Sequence, residues 1–112
     1  MIEVDRDKVV EIGQYKPFDD SKDELLQTLY ELLIPIHKEP LCNNYEIFIQ
    51  KDGTITTIGV WENSRGYNFH CNMSYIEEFR SKKLPVFCQS FDQKEHKKVV
   101  SPLTALSLLN EN

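Results

Sequence analysis

The apolar residues change their period along the chain, and each change predicts a new element. Residues 8–15 contain β-branched residues and alternate after Val10, which predicts a first strand. Ser21 and Glu24 are spaced as a capping box, which predicts a helix start. Pro35 predicts a kink or an end of that helix. After Glu24, five apolar residues recur at helical spacing: Leu25, Leu29, Leu32, Leu33 and Ile36.

Two β-rich runs, residues 43–50 and 54–62, flank Lys51-Asp52-Gly53. Asp-Gly between such runs predicts a type I′ hairpin in which Lys51 faces Thr54. One face of this hairpin then carries Tyr45, Ile47, Ile49, Thr56, Ile58 and Val60, and the other carries Phe48, Ile55, Thr57, Gly59 and Trp61. Because both faces contain apolar side chains, we expect helices to cover one and a second copy of the sheet to cover the other.

The second half of the chain predicts helical sequence and a final strand. Asn63-Ser64 predicts the cap of a short helix that carries Tyr67 and His70 on one face. A second capping box, Ser74 with Glu77, predicts a further helix. After a polar connector, residues 96–103 predict the last, edge strand. The order strand, helix, strand, strand, helix, strand predicts an α+β fold of the ferredoxin-like split βαβ type.

Length and charge narrow the class of protein. The 112 residues predict one domain, with a core over residues 8–103 and a tail over 104–112. The net charge of −5 leaves no basic surface, so we expect no nucleic-acid partner. The sequence has no apolar run of membrane-spanning length and no signal-peptide core, which favours a cytoplasmic protein. Its three widely spaced cysteines argue against a zinc site.

Six residues in order and spacing resemble the motifs of the antibiotic-biosynthesis-monooxygenase family, which includes small quinol monooxygenases. They are Glu39, Cys42, Tyr45, Trp61, Glu62 and His70. The similarity covers roughly residues 8–103. It implies a dimeric α/β-barrel, hence a homodimer, with a pocket in each subunit between the sheet and the helices.

The resemblance also implies a chemistry. In the family, a small phenolic or quinol substrate is deprotonated and its anion reduces O₂ directly, so we expect no flavin, haem or metal cofactor. His70 would be the catalytic base and Tyr67 a catalytic donor. Substrate binding would fall to Trp61 as a pocket wall, to Tyr45 as a further donor, and to Thr57 and Phe48.

The sequence departs from the family pattern at several positions. Leu41 replaces a glycine, Gly59 and Thr57 replace a glutamate and an asparagine near the tryptophan, and Tyr75 replaces a second histidine. Two alternatives to a monooxygenase therefore stay open. One is an isomerase of the autoinducer-processing type, and the other is a non-enzymatic small-molecule-binding or stress dimer. A haem-degrading enzyme fits less well, because the first strand lacks an asparagine.

Overall fold

The four strands of the protein form one antiparallel sheet. The computed structural model describes residues 7–97. In chain order the elements are β1 (Val9–Pro17), α1 (Lys22–His37), β2 (Cys42–Ile49), β3 (Ile55–Trp61), α2 (Ser64–Cys71), α3 (Ser74–Glu78), a π-helical turn (Phe79–Lys83), α4 (Leu84–Phe87) and β4 (Cys88–Lys97). The strand order is β2-β3-β1-β4. The predicted α+β, ferredoxin-like fold is confirmed.

The last strand begins earlier than the sequence predicts. β4 starts at Cys88 and includes the residues expected to form a polar connector. It pairs with β1 from Pro17 opposite Cys88 to Val9 opposite Lys97. An edge strand tolerates polar side chains because solvent reaches it, so hydropathy alone conceals it. The rest of the predicted strand, beyond Lys97, lies outside the described residues.

The hairpin register predicted from Asp52-Gly53 is wrong by one residue. Tyr45 pairs with Gly59 and Ile49 with Ile55, and the Gln50 N–H donates to the Thr54 carbonyl. The loop therefore has three residues, and only its last, Gly53, has a positive φ, of 88°. A type I turn followed by one left-handed glycine gives this geometry, whereas type I′ needs two positive φ values.

The shift changes which side chains share a face. Tyr45 now lies on the same face as Thr57, Gly59 and Trp61, and α1 and α2 cover that face. Phe48 lies on the opposite face and is 44% exposed. The opposite face also carries four half-buried apolar side chains: Val10, Ile12, Ile58 and Val60. The predicted second copy of the sheet would cover these residues, and it stays a prediction.

Two of the three predicted helix caps do not form. Asn63 caps α2 as predicted, since its side chain accepts a hydrogen bond from Gly66 N at 3.1 Å. The Ser21 side chain makes no cap bond to α1 and instead donates to Asp20 Oδ1 at 3.4 Å. α3 has Met73 at its N-cap position, so the box predicted from Ser74 is also wrong. α1 continues past Pro35 to His37.

The helix-covered face holds two groups of buried side chains. The first lies toward the carboxyl end of β1 and is apolar, with Tyr15, Leu25, Leu29, Ile55, Phe79, Leu84 and Cys88. The second lies toward the other end and contains Ile36, Tyr45, Trp61 and Ile76. Within residues 7–97, no helix is both long enough and apolar enough to cross a bilayer.

Candidate functional site

His70 lies at the centre of an aromatic cluster. It is 1% exposed and projects from α2 toward the sheet. Its ring centroid is 4.5 Å from that of Trp61, 6.3 Å from that of Tyr67 and 6.4 Å from that of Tyr45. The three-residue spacing of Tyr67 and His70 places them on the same face of α2, as the sequence predicts. The strand ends and the short helix therefore enclose one imidazole.

Because Gly59 has no side chain, there is room for this aromatic cluster. A Cβ at Gly59 would lie 2.4 Å from the Trp61 ring and 2.8 Å from the Tyr45 ring. The indole therefore lies directly over the backbone of Gly59, two residues earlier on the same strand. Any larger residue at this position would displace Trp61 or Tyr45. The departure noted at Gly59 is thus a packing requirement of the tryptophan.

Glu39 is a buried carboxylate that accepts hydrogen bonds from three side chains. His70 Nδ1 lies 2.9 Å from Oε1 and 3.0 Å from Oε2, and Trp61 Nε1 lies 3.4 Å from Oε1. The Tyr75 hydroxyl donates to Oε2. The side chains of Glu39 and His70 are each 1% exposed. A buried carboxylate needs such partners, because an unpaired charge in the interior is costly.

The turn between α1 and β2, on which Glu39 lies, contains a strained residue. Leu41 has φ 68°, in the left-handed region that glycine normally occupies. Its carbonyl accepts from Glu62 N at 2.7 Å, which joins the turn to the end of β3. A Cβ at Gly66 would lie only 2.7 Å from the Leu41 Cβ, so α2 packs closely on this turn. The leucine keeps the glycine-like geometry at a cost of roughly 1–2 kcal/mol.

A second buried carboxylate, Glu11 on β1, was not anticipated from the sequence. Glu11 is 2% exposed. Its Oε2 accepts from the Tyr67 hydroxyl and from Arg80 Nη2, the latter at 2.8 Å. Arg80 Nη1 also donates to Cys71 Sγ at 3.4 Å. The alternation of β1 in the sequence could have indicated this burial, because it places Glu11 on the same face as Val9 and Tyr15.

Burial and the two carboxylates keep the nearby tyrosines protonated. Burial raises the pKa of Tyr45. Burial, and then the hydrogen bond to Glu11, raises the pKa of Tyr67. Burial and the bond to Glu39 raise that of Tyr75 in the same way. Burial alone would lower the pKa of Arg80, but Glu11 keeps it above its ordinary value. These hydroxyls are therefore hydrogen-bond donors at neutral pH.

The structure brings five of the six predicted site residues to one face. In four of them, the Trp61 and His70 rings contact each other and both contact the rings of Tyr45 and Tyr67. Thr57 lies on the same face, with its Oγ1 3.4 Å from the Tyr15 hydroxyl. Phe48 is not brought to this group, because the corrected register puts it on the other face of the sheet. Tyr67 directs its hydroxyl to Glu11 rather than into open space.

The site is closed in this conformation. A cavity of about 370 Å³ lined by Lys16, Phe18, Lys22 and Asp52 lies at the opposite end of β1 from His70, and larger cavities of about 440 and 510 Å³ lie against α1. Among residues 7–97, no three histidine, cysteine or acidic side chains are grouped to hold a metal ion. The arrangement offers an imidazole oriented by a carboxylate, aromatic walls and hydroxyl donors. Such a set can move protons to and from a small aromatic molecule.

Structural comparison identifies the class of fold. The chain has the fold of antibiotic-biosynthesis-monooxygenase proteins, as the resemblance implies. No protein-family model matches the sequence, and no curated protein matches it.

Three solved structures illustrate this similarity of fold. Protein SO0527 from Shewanella oneidensis is 17% identical with a TM-score of 0.83, covering 88% of this chain and 98% of that one. A protein described as an antibiotic biosynthesis monooxygenase is 19% identical with a TM-score of 0.68, covering 83% and 96%. SnoaB, a cofactor-independent oxygenase from Streptomyces nogalater, is 10% identical with a TM-score of 0.72, covering 81% and 92%. At these identities the likeness concerns the fold alone.

Proposed function

We propose that this protein is a cofactor-independent monooxygenase that oxidises a small phenolic or quinol substrate with O₂. The observation that carries the proposal is the buried Glu39–His70 pair at the centre of an aromatic cluster. The fold is shared with a protein described as a cofactor-independent oxygenase. The pair supplies a proton acceptor, and the rings of Trp61, Tyr45 and Tyr67 supply walls suited to an aromatic ligand.

His70 is the general base in this proposal. Its Nδ1 faces Glu39, so the neutral imidazole carries its proton on Nδ1 and leaves Nε2 as the acceptor. A phenol hydroxyl placed against Nε2 loses its proton, and the resulting anion is electron-rich. Glu39 then stabilises the imidazolium that forms, as a carboxylate does behind other catalytic histidines.

The reaction balances without an added reductant. The substrate anion transfers one electron to O₂, and the substrate radical and superoxide combine to form a carbon–oxygen bond. The peroxide takes back the proton held by His70, and its O–O bond breaks. One oxygen atom stays on the substrate as a carbonyl and the other leaves as water. The two hydrogens in that water come from the substrate hydroxyl and the ring carbon.

Substrate entry requires that part of the site opens. His70 is 1% exposed, whereas Tyr67 on the same helix is half-buried. α2 has only eight residues and follows directly from the end of β3. Displacement of α2 with Tyr67 is therefore the movement that would expose Nε2, and movements of this kind take microseconds to milliseconds.

Oxygen uptake with a panel of hydroquinones tests the proposal. His70→Gln keeps side-chain volume and hydrogen bonding but removes the base, so uptake per folded molecule should fall about 10²–10⁴-fold. His37→Gln is the matched control, because His37 is exposed and its Nε2 lies 3.1 Å from a main-chain atom, the Tyr45 carbonyl oxygen. Equal activity in wild type and His70→Gln would exclude His70 as the base.

The closed site favours one second candidate, a non-enzymatic protein in which His70 is structural. In that case His70→Gln lowers stability because Glu39 loses its main partner, and no hydroquinone stimulates oxygen uptake in the wild type. Measurement of unfolding and of uptake on the same variants separates the two functions. Loss of uptake only in proportion to folded protein supports the structural role.

We also propose that the protein is a cytoplasmic homodimer joined through the sheet face opposite the helices. Five apolar side chains on that face support this: Val10, Ile12, Phe48, Ile58 and Val60. Light scattering should give twice the chain mass of 13.2 kDa. Ile58→Lys should shift the protein toward monomer or aggregate, because it places a charge in the proposed interface. A wild-type protein that is monomeric at micromolar concentration would exclude this interface.

A further inference from the structure

We infer that Tyr75 is a positioning residue that holds Glu39 and, through it, fixes which nitrogen of His70 carries the proton. The inference rests on the proposed function for its kinetic consequence. Its structural part, the control of the His70 tautomer, stands on contacts alone. Tyr75 lies on α3 and reaches across to the turn after α1.

The contacts around Glu39 show what Tyr75 contributes. Both carboxylate oxygens lie near His70 Nδ1, at 2.9 and 3.0 Å. The other two donors occupy different oxygens, with Trp61 Nε1 on Oε1 and the Tyr75 hydroxyl on Oε2. The Trp61 bond is long, at 3.4 Å. Tyr75 is therefore the stronger of the two restraints that stop the carboxylate from rotating away from the imidazole.

Tyr75 also connects the buried pair to the protein surface. Glu39 and His70 are each about 1% exposed, whereas Tyr75 is half-buried. Its hydroxyl lies 3.4 Å from the Pro35 carbonyl oxygen near the end of α1. Burial and the bond to Glu39 raise the pKa of this hydroxyl, so it keeps its proton and remains a donor. The restraint thus persists over the neutral pH range.

Loss of the Tyr75 hydroxyl should allow the Glu39 carboxylate to rotate without leaving a cavity in the core. Tyr75→Phe keeps the ring and removes one oxygen atom. Glu39 can then turn from Nδ1, and the proton of neutral His70 is shared between both nitrogens. A hydrogen bond to a charged group is stronger than one between neutral groups, so its loss removes a substantial restraint on the carboxylate.

The experiment is ¹⁵N NMR of histidine-labelled protein, in wild type, Tyr75→Phe and the control Tyr30→Phe. The chain has three histidines, and the exposed His37 and His96 serve as internal references. Tyr30 is 64% exposed, which makes its hydroxyl a matched surface control. We expect wild type and Tyr30→Phe to show His70 protonated on Nδ1, and Tyr75→Phe to show a mixture of tautomers.

Kinetics on the same variants give the second readout. Turnover of Tyr75→Phe should fall about tenfold, while Tyr30→Phe behaves as wild type. An unchanged His70 spectrum in Tyr75→Phe overturns the inference. A changed spectrum in a protein that oxidises no quinol supports the role of Tyr75 and rejects the proposed function, so the two failures are distinguishable. Tyr75→His, which can still donate to Glu39, adds a fourth histidine signal and should return the His70 signal toward that of the wild type.

Discussion

The two halves of the core use the same sheet face in different ways. In the half around Leu25 and Leu29, the buried side chains are mostly apolar and their contribution to stability comes from area removed from water. In the half around Trp61, two buried carboxylates, a histidine and two tyrosine hydroxyls replace aliphatic side chains. Polar groups of this kind do not stabilise a fold better than packed hydrocarbon does.

This difference indicates that the polar half of the core contributes less to stability than the apolar half. The polar half also contains the left-handed Leu41 and the close contact between α2 and the turn before β2. Strained residues and buried polar networks concentrate at functional sites, because packing elsewhere holds them in place. The apolar half is thus the support, and the polar half is the candidate site.

The largest expected effect is a loss of stability from the apolar half. Leu29 is fully buried on α1, so Leu29→Ala should lower the free energy of unfolding by about 2–5 kcal/mol. Urea unfolding measures it. The matched control is Ile34→Ala on the same helix, where the side chain is 62% exposed and the change should stay within about 0.5 kcal/mol. Activity per folded molecule should be unchanged in both. A loss of activity in folded Leu29→Ala would show that the halves are not separate.

In the polar half, Glu39→Gln should reduce activity per folded molecule as well as stability, whereas Leu29→Ala should reduce stability alone. The amide keeps the shape of the side chain but cannot accept from His70, Trp61 and Tyr75 together, which should lower stability by about 1–3 kcal/mol. Oxygen uptake per folded molecule should fall at least tenfold, because His70 loses its orienting partner. Glu62→Gln, on an exposed side chain at the end of β3, is the control. Retained activity in Glu39→Gln would contradict the assignment of the pair.

A smaller effect tests the strain at Leu41. Leu41→Gly and Leu41→Ala both remove the side chain beyond Cβ, but only glycine occupies φ 68° without penalty. The glycine variant should therefore be more stable than the alanine variant by about 1 kcal/mol, the reverse of their order in ordinary helices. Thermal unfolding of the pair measures the difference. Equal or reversed stabilities would mean that the turn carries no left-handed strain.

The smallest effect concerns high pH in the apolar half. Burial raises the pKa of the Cys88 thiol from 9.0 to about 11. The unfolded chain loses this proton near pH 9 and the folded chain near pH 11, so the stability contributed by the neutral thiol is complete below pH 9. It declines as the pH rises from 9 to 11. Urea titrations should show a shallower alkaline decline for Cys88→Ala than for wild type. Identical slopes would show that the thiol does not titrate with unfolding.

The periodic parts of the sequence determined the order of elements. The apolar stripe of α1, the alternation of β1 and the Asn63 cap of α2 act over a few residues, and each formed as the pattern predicts. The grouping of Trp61, Tyr67 and His70 also followed from local spacing. It needs only the end of a strand and one turn of the next helix.

Only the tertiary structure decided the partners of the site. A shift of one residue in the hairpin register put Tyr45 beside Trp61 and Phe48 on the opposite face. The shift accompanies a three-residue loop in which Gly53 has a positive φ. Glu11 and Glu39 meet Tyr67 and His70 across 56 and 31 residues of chain. No local pattern specifies such contacts, because a carboxylate looks the same in sequence whether it faces water or a buried donor. The choice depends on how the sheet and helices pack, since burial is what makes the unpaired alternative costly.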